Sequence, residues 1–587
     1  MKLRRKDVPE VVSVPGQGSA APVLVPVQRP AGWRQLGDLL VERSVVTHGQ
    51  LNEALLQQGA SGKRLGSLLV EVGALDEMDL VDALAEQFDL AVADLGEHAP
   101  EADAVAKLPE SVARAHTCVP LEVDEGHLVV AVADPSTQLE QQLAAAAGMP
   151  VAMVLASPAD IRRAVDTSYR SLTGIDEFVA AFERTNTTRR AAALTSESAQ
   201  DDAPVVQVVN KIITQALRDR ASDVHIEPQD SRLRIRFRID GALHDVLALP
   251  DAMGPALTSR LKIMAGMNIV ERRRPQDGQI SMEVDGRSVD IRVATTGVVW
   301  GEKVVLRILD KSRPLYKLKD LGMPEDTHAT FSKLVHAPFG MVLCAGPTGS
   351  GKTTTLYATM SEINESQRNI MTIEDPVEYV FPSINQISTN EQAGLTFATG
   401  LKSILRQDPD VILVGEIRDV DTARIATQSA LTGHFVLSSL HATDSVAALH
   451  RFLDMGIESF LIASSVLGVV GQRLMRKTCK HCKEVYKPTA EDLAFWEESG
   501  GGAKTRFYRG TGCNLCSGTG FSDRIGVYEL LTITPEIKRL VVGWATQDEL
   551  RRMAVKQGMR TMRDEAIALV EQDLTTIPEV VRNIYTG

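Results

Sequence analysis

The stretch Gly346, Pro347, Thr348, Gly349, Ser350, Gly351, Lys352, Thr353, Thr354 has the residue types and spacing needed to hold a polyphosphate. Glycines let consecutive backbone N–H groups converge on phosphate oxygens, and a helix that follows adds its positive end. The buried-strand run MVLCA precedes the loop and the helical pattern TTTLYATM follows it, so the G-x-x-x-x-G-K-[ST] spacing stands in a strand–loop–helix context. Lys352 would reach the β and γ phosphates of ATP, and the Thr353 hydroxyl would hold Mg²⁺. Hydrolysis also needs an acid for the metal and a carboxylate to orient water. Glu374 and Asp375 end one apolar run, and Glu416 follows another, VILVG. Carboxyl ends of parallel strands are where α/β sites sit; the alternative is acids that only face solvent. His434 and His441 flank a third run, FVLSSL, where a histidine is either structural or a phosphate sensor.

Two further groups could do chemistry. Cys479, Cys482, Cys513 and Cys516 form two C-x-x-C pairs. Four thiolates so spaced suit tetrahedral Zn²⁺, and four protein ligands make the metal structural. A redox pair, or His481 in place of one thiolate, is the alternative. Cys118 and Cys344 stand singly in apolar runs and read as core. Arg232, Arg234, Arg236 and Arg238 alternate with Leu233, Ile235, Phe237 and Ile239. Period two puts the four guanidiniums on one strand face, as a solvated face or as countercharge to a phosphate.

The elements that must position these groups come from a chain of 587 residues, too long for one core. Residues 1–30 carry five prolines without helical period and read as a disordered tail. Residues 31–170 open with a repeat: Leu36, Gly37, Leu39, Leu40, Leu51, Leu55 and Gln58 recur 29 positions later. Each copy reads as a short helix, a turn and an amphipathic helix capped by Thr47 or Asp76, and mixed α/β follows. Residues 171–203 are polar and aperiodic and read as a linker. Residues 204–315 form an α/β block, and from 321 to 587 apolar strands alternate with helices, the pattern of a covered parallel sheet. Net charge -13 and 4% aromatic content argue against a general polyanion binder, so no nucleic acid is expected. The longest uncharged apolar stretch, Phe460 to Gly471, falls short of the ~20 residues that span a bilayer. Asp7, Pro9 and Glu10 interrupt any signal-peptide core, so the expectation is a cytoplasmic protein.

From Pro204 to Gly587 these motifs together resemble the secretion ATPases of the type II secretion and type IV pilus assembly class. GPTGSGKTT is similar to that family's Walker A. TIEDPVEY resembles its Asp box, with Glu374, Asp375 and Glu378. LRQDPDVILVGEIRD resembles the Walker B region with Glu416, and LTGHFVLSSLHATD the His box with His434 and His441. RIRFRIDG, RRRPQDGQI and the tetracysteine insertion are also similar. The resemblance implies an α/β multidomain fold: a RecA-like P-loop motor domain, a PAS-like α/β domain before it, and an N-terminal helical-plus-α/β regulatory domain. It further implies a ring of six subunits with nucleotide between the two C-terminal domains and arginines of the smaller one completing the site. Arg236 and Arg238 lead, with Arg272 and Arg273 behind them. Glu374 is then a candidate for polarising water and Glu416 for organising Mg²⁺. One departure stands out: Lys402 replaces the arginine that the family often has one turn before Arg406, a point charge for a planar fork.

The repeat is similar to the N-terminal cyclic-di-GMP-binding (MshEN-like) domain of some of these ATPases. The second copy keeps Arg64, Leu65, Gly66 and Gln87. The first keeps Leu36 and Gly37, but Gln35 takes the arginine position beside Arg34, and Ser44 replaces a glycine. Cyclic-di-GMP is one expected ligand; a docking domain without ligand is the other reading. The resulting expectation is a hexameric, Mg²⁺-dependent ATPase driving type IV pilus assembly through an inner-membrane platform protein. It would sit at the cytoplasmic face of the inner membrane through its partners. Type II secretion is the alternative, ahead of a nucleic-acid motor or a non-hydrolysing scaffold.

Overall fold

The repeat folds as two helix pairs, Leu36–Glu42 with His48–Ser61 and Leu65–Glu71 with Glu77–Phe88. Thr47 caps the first long helix in a full capping box with Gln50, and Asp76 caps the second by accepting from Met78 N at 2.9 Å. Leu40 and Leu69, equivalent in the two copies and fully buried, share one small core with Val46, Leu75 and Ala83. Gly37 and Gly66 let each short helix close on its partner: a Cβ would stand 3.0 Å from Leu51 Cδ1 at position 37 and 2.6 Å from Leu80 Cδ1 at position 66. A three-stranded sheet follows, Cys118–Asp124 antiparallel to His127–Val132 and the latter parallel to Val151–Leu155. The computed structural model describes residues 34–191, 204–310 and 316–584, so the expected tail at 1–30 lies outside it. The chain divides after Tyr169 into two compact units.

The second unit corrects one expectation. The segment read as a linker contains the helix Ile175–Ala191. Ile175 is buried, and Phe178, Val179 and Phe182 pack beside it on the core of the following sheet. Their spacing is one apolar helical face, hidden in the sequence by the polar residues between them. Residues 192–203 of that expected linker lie outside the described residues.

Six antiparallel strands come next, in the order Ala242–Pro250, Arg232–Ile239, Asp223–Pro228, Gly301–Asp310, Arg287–Val298, Gln276–Val284. Leu233, Ile235 and Phe237 are buried against the helices Pro204–Arg218 and Gly254–Met264. The alternating arginines therefore line the opposite, polar face, as the period requires.

The last sheet has seven strands, ordered Asn385–Ser388, Ile370–Glu374, Val411–Val414, Phe435–Leu440, Gly340–Ala345, Val466–Thr478, Phe521–Thr532. All neighbours are parallel except the last pair. Every residue of Gly340–Ala345, Val411–Val414 and Phe435–Leu440 is buried, because helices cover both faces. The motifs that follow Gly340–Ala345, Ile370–Glu374, Val411–Val414 and Phe435–Leu440 therefore emerge together at the carboxyl end of the sheet.

Candidate functional site

The strand Gly340–Ala345 runs directly into the phosphate loop, and the helix Lys352–Ile363 leaves it. A Cβ on Gly346 would meet Ser350 Oγ at 2.4 Å and Gln472 O at 2.6 Å, so only glycine lets the loop fold back here. Gly349 and Gly351 have φ of 79° and 89°, the left-handed region that glycine enters without strain. Thr355 Oγ1 donates to Gln472 Oε1 at 2.9 Å, tying the helix to the neighbouring strand Val466–Thr478. Lys352 folds back on the loop, donating to Gly346 O at 2.8 Å and Pro347 O at 3.0 Å. Burial holds its ammonium below the usual lysine range. Ser350 Oγ is buried without a hydrogen-bond partner, which fits a loop shaped for a ligand with acceptor oxygens.

Glu374 ends its strand almost fully buried and takes three donors: Tyr357 Oη in a very short contact, Thr372 Oγ1 at 2.7 Å and Gln386 Nε2 at 3.2 Å. Burial first, then the Glu374 charge, pushes the Tyr357 hydroxyl far above its ordinary range, so it stays a donor. Burial also raises Glu378, against the pull of Arg292. Glu416 accepts from His441 Nε2 at 2.9 Å and forms a close ion pair with Arg418, whose other nitrogen lies 3.2 Å from Asp375. Arg418 thus bridges the two acidic motifs, a link that spacing alone did not reveal.

The two histidines part company. His441 follows the carboxyl end of Phe435–Leu440, beside Glu416. His434 precedes the amino end, with Nδ1 3.0 Å from Ser429 O. At ~3.3 Å per residue the strand separates them by roughly 20 Å, so they cannot serve one site within this chain.

A cleft of about 760 Å³ joins these groups to the polar face of the six-stranded sheet. Thr348, Gly349, Gly351, Thr353 and Thr354 line it on the loop side, with Glu374, Asp375, Glu416 and His441. Arg238 and Arg307 line it from the sheet. Cross-strand register explains that pair: Asp223 lies opposite Arg238 on one side and Arg307 on the other, and Arg307 lies opposite Arg292. Three arginines and one aspartate thus form a single row across four strands. Asp223 sits 3.1 Å from Arg307 Nε and 3.5 Å from Arg238 Nε. Arg236 belongs to the next row, ~6.6 Å further along the strand, and does not line the cleft. Its guanidinium is held by Glu227 through two bonds of 2.9 Å. Arg272, Arg273, Lys402 and Arg406 also lie outside the cleft lining, and the Arg273 side chain is 92% exposed. Arg307, Arg418 and Tyr357 were missed from sequence. The only signal for Arg307 was its place in a second strand-like run, KVVLRILD, whose register no spacing rule fixes.

The four cysteines of the C-x-x-C pairs converge, their sulfurs all within 4.8 Å of one another, and His481 is not part of the group. Sulfurs of Cys479 and Cys513, and of Cys482 and Cys516, are 3.9 Å apart; those of Cys513 and Cys516 are 3.7 Å apart. Four thiolates ~2.3 Å from a tetrahedral zinc would stand about 3.8 Å apart, so the donor set fits that metal. Backbone N–H groups of Gly512 and Gly520 point at Cys482 and Cys516 sulfur at 3.3 Å, as thiolate ligands require. In the N-terminal unit, Gln87 Nε2 donates to Arg34 O at 2.7 Å, and the Arg34 side chain pairs with Glu42. Arg64 instead pairs closely with Asp134, while Leu36 and Leu65 pack on the helical core and Gly37 and Gly66 are buried.

A phosphate loop inside a largely parallel sheet, with strand-end carboxylates and arginines opposite, defines a RecA-like P-loop ATPase. Residues 198–582 match the family described as type II/IV secretion system protein, and the chain belongs to that family. Residues 88–175 match the MshEN domain, a stretch that begins where the repeat helices end. The chain is 39% identical over 564 residues to the type IV pilus assembly ATPase PilB of Myxococcus xanthus (strain DK1622), covering 94% of this chain and 98% of that one. It is 48% identical over 383 residues to the type II secretion system protein HxcR of Pseudomonas aeruginosa, covering 65% of this chain and 78% of that one. Among solved structures, the pilus retraction motor PilT with bound ADP is 25% identical over 64% of this chain and 97% of that one, with TM-score 0.44.

Proposed function

We propose that the protein is the hexameric, Mg²⁺-dependent motor of type IV pilus assembly, turning ATP hydrolysis into movement of an inner-membrane platform protein. The end-to-end match to a pilus assembly ATPase carries this reading, since it takes in the N-terminal unit as well as the motor. The higher identity to HxcR over the motor alone keeps type II secretion as the second reading. Among the described residues no helix is long and apolar enough to cross a membrane, which fits attachment to the cytoplasmic face through partners.

On this reading Gly346 to Thr354 wrap the phosphates, and Lys352 exchanges its two loop carbonyls for β- and γ-phosphate oxygens. Thr353 would hold Mg²⁺ and Glu416 would organise it, the ion supplying positive charge to the site when bound. Glu374, fixed by three donors, orients the attacking water. Arg238 and Arg307 stand across the cleft where charge builds on the γ-phosphate. Arg418 keeps Asp375 and Glu416 from repelling each other. Because loop and arginine row belong to different sheets, nucleotide binding draws the sheets together and hydrolysis releases them, which supplies the stroke. The four cysteines hold zinc as a structural clamp on the motor. Arg34, Leu36, Gly37, Arg64, Leu65, Gly66 and Gln87 form the cyclic-di-GMP surface of the N-terminal unit, a reading that rests on their repeated motif, since the MshEN match spans residues 88–175 and begins after them.

A chromosomal Lys352→Ala strain tests the machine. Lost surface filaments with normal protein secretion are expected; blocked secretion with normal filaments would move the motor to the type II system. Calorimetry of the full chain tests the sensor, and silence at high micromolar cyclic-di-GMP would retire it.

A further inference from the structure

Every acid ascribed to the chemistry lies on one side of the phosphate loop. The strand feeding the loop, Gly340–Ala345, is flanked by Phe435–Leu440, then Val411–Val414 and Ile370–Glu374, which lead to His441, Glu416 and Glu374. Its other flank is Val466–Thr478. A triphosphate on the loop directs its γ-phosphate at the acids, so its nucleoside must leave over the second flank. The cleft continues there, lined by Leu474, Glu579, Arg582 and Asn583.

That wall is built from fixed parts. Gln472, Leu474 and Arg476 share one face of their strand by period two. At the loop end, a Cβ on Gly351 would meet Gln472 Nε2 at 2.8 Å and Leu474 at 3.5 Å. At the far end, Arg476 donates to Glu579 Oε2 at 2.6 and 3.0 Å. Four residues at ~3.3 Å each carry this face about 13 Å from the loop, the reach of a ribose and base beyond the phosphates. Glu579, 3% exposed near the start of the helix Ile577–Ile584, accepts from Asn583 Nδ2 on both its backbone O and Oε1 at 2.9 Å. The two bonds fix the amide's orientation and leave Asn583 Oδ1 as an acceptor. Arg582 projects beside it, its side chain 46% exposed.

We propose that the helix Ile577–Ile584, with Leu474, is the nucleoside-recognition wall of the site, and that Asn583 Oδ1 selects adenine over guanine. Adenine offers an N6 amino donor where guanine offers the O6 acceptor, which would face Oδ1 oxygen to oxygen. Leu474 supplies the apolar floor and Arg582 the planar cation over the base or ribose. This rests on the ATPase reading above.

Calorimetric titration of the full chain with ADP, GDP and inorganic tripolyphosphate tests it, in wild type, Asn583→Ala and Arg582→Ala. Asn583→Ala should weaken ADP about five- to tenfold, the worth of one hydrogen bond, and collapse the preference over GDP. Arg582→Ala should weaken ADP and GDP alike. Tripolyphosphate has no nucleoside to place on the wall and should bind all three proteins equally. Unchanged ADP binding in both variants would overturn the wall while leaving the ATPase reading intact. Equal loss of ADP and tripolyphosphate would mean that the helix only supports the fold, and also overturns it. A wild-type chain that binds neither ligand would refute both readings.

Discussion

Tyr357→Phe isolates what Glu374 does. The ring would stay where it is, edge-on to Phe381 at 5.4 Å and to Tyr379 at 6.0 Å between centroids, so little packing is lost. What goes is the donor to Glu374 and the acceptor for Glu378 N–H at 3.1 Å. A hydrogen bond to a charged group contributes about 1.5–3 kcal/mol, and an orphaned buried N–H costs about 1–3 kcal/mol. The two share one hydroxyl and are not additive, so a destabilisation of about 2–4 kcal/mol is expected. Glu374 would keep only Thr372 and Gln386, at 2.7 and 3.2 Å, and its carboxylate would be free to turn. If that carboxylate positions the attacking water, about 1.4–2.7 kcal/mol of lost orientation lowers kcat about 10- to 100-fold. Phosphate release at saturating ATP, with ADP affinity and thermal unfolding measured in parallel, reads both effects. Tyr379→Phe is the control, because that hydroxyl donates to Asp310 O and not to Glu374. A Tyr357→Phe protein with a lower melting midpoint but wild-type kcat would refute the assignment of the water to Glu374.

Three other outcomes are expected. Arg307→Ala should lower kcat about 100-fold or more, as loss of a transition-state donor does, while Arg236→Ala should act mainly on stability; equal kinetic losses would refute the row argument. Cys513→Ser should release zinc, read as a fall from one metal per chain by a chromogenic chelator, with a lower melting midpoint; a metal-free wild type would overturn the assignment. Burial opposes ionisation of Glu227, but bonds from Arg236 and Lys303 win and hold it down at about 2, against an ordinary 4.5. Since its folded value is depressed, its contribution is full above 4.5 and lost as pH falls towards 2, so Glu227→Gln should flatten stability in that window.

The phosphate loop was legible because its chemistry is local: glycines, a lysine and a threonine must be contiguous to wrap one phosphate chain. The strand-end acids were legible for a related reason, since a buried strand announces itself by an unbroken apolar run. The four-cysteine cluster was too, because each C-x-x-C pair brings its two thiols together in one turn. The linker reading failed where four apolar residues from Ile175 to Phe182 were diluted by polar ones: composition averages over a helix, whereas burial selects one face of it.

The arginines show where legibility ends. Alternation told correctly that Arg236 and Arg238 share a face, but a strand's face is many residues long and a cleft is one row deep. Which of the two enters the site depends on where the sheet meets the loop, and Arg307 reaches it only because Asp223 sets two strands in register around itself. Such a row exists in no single segment of the chain. The same holds for Arg418, which joins carboxylates 41 positions apart, and for Asn583, which lines the same cleft as the phosphate loop from more than two hundred residues further along the chain. Sequence patterns thus locate groups that must be neighbours along the backbone. The groups that complete the lining of this cleft are supplied across strands, and which of them meet there follows from register.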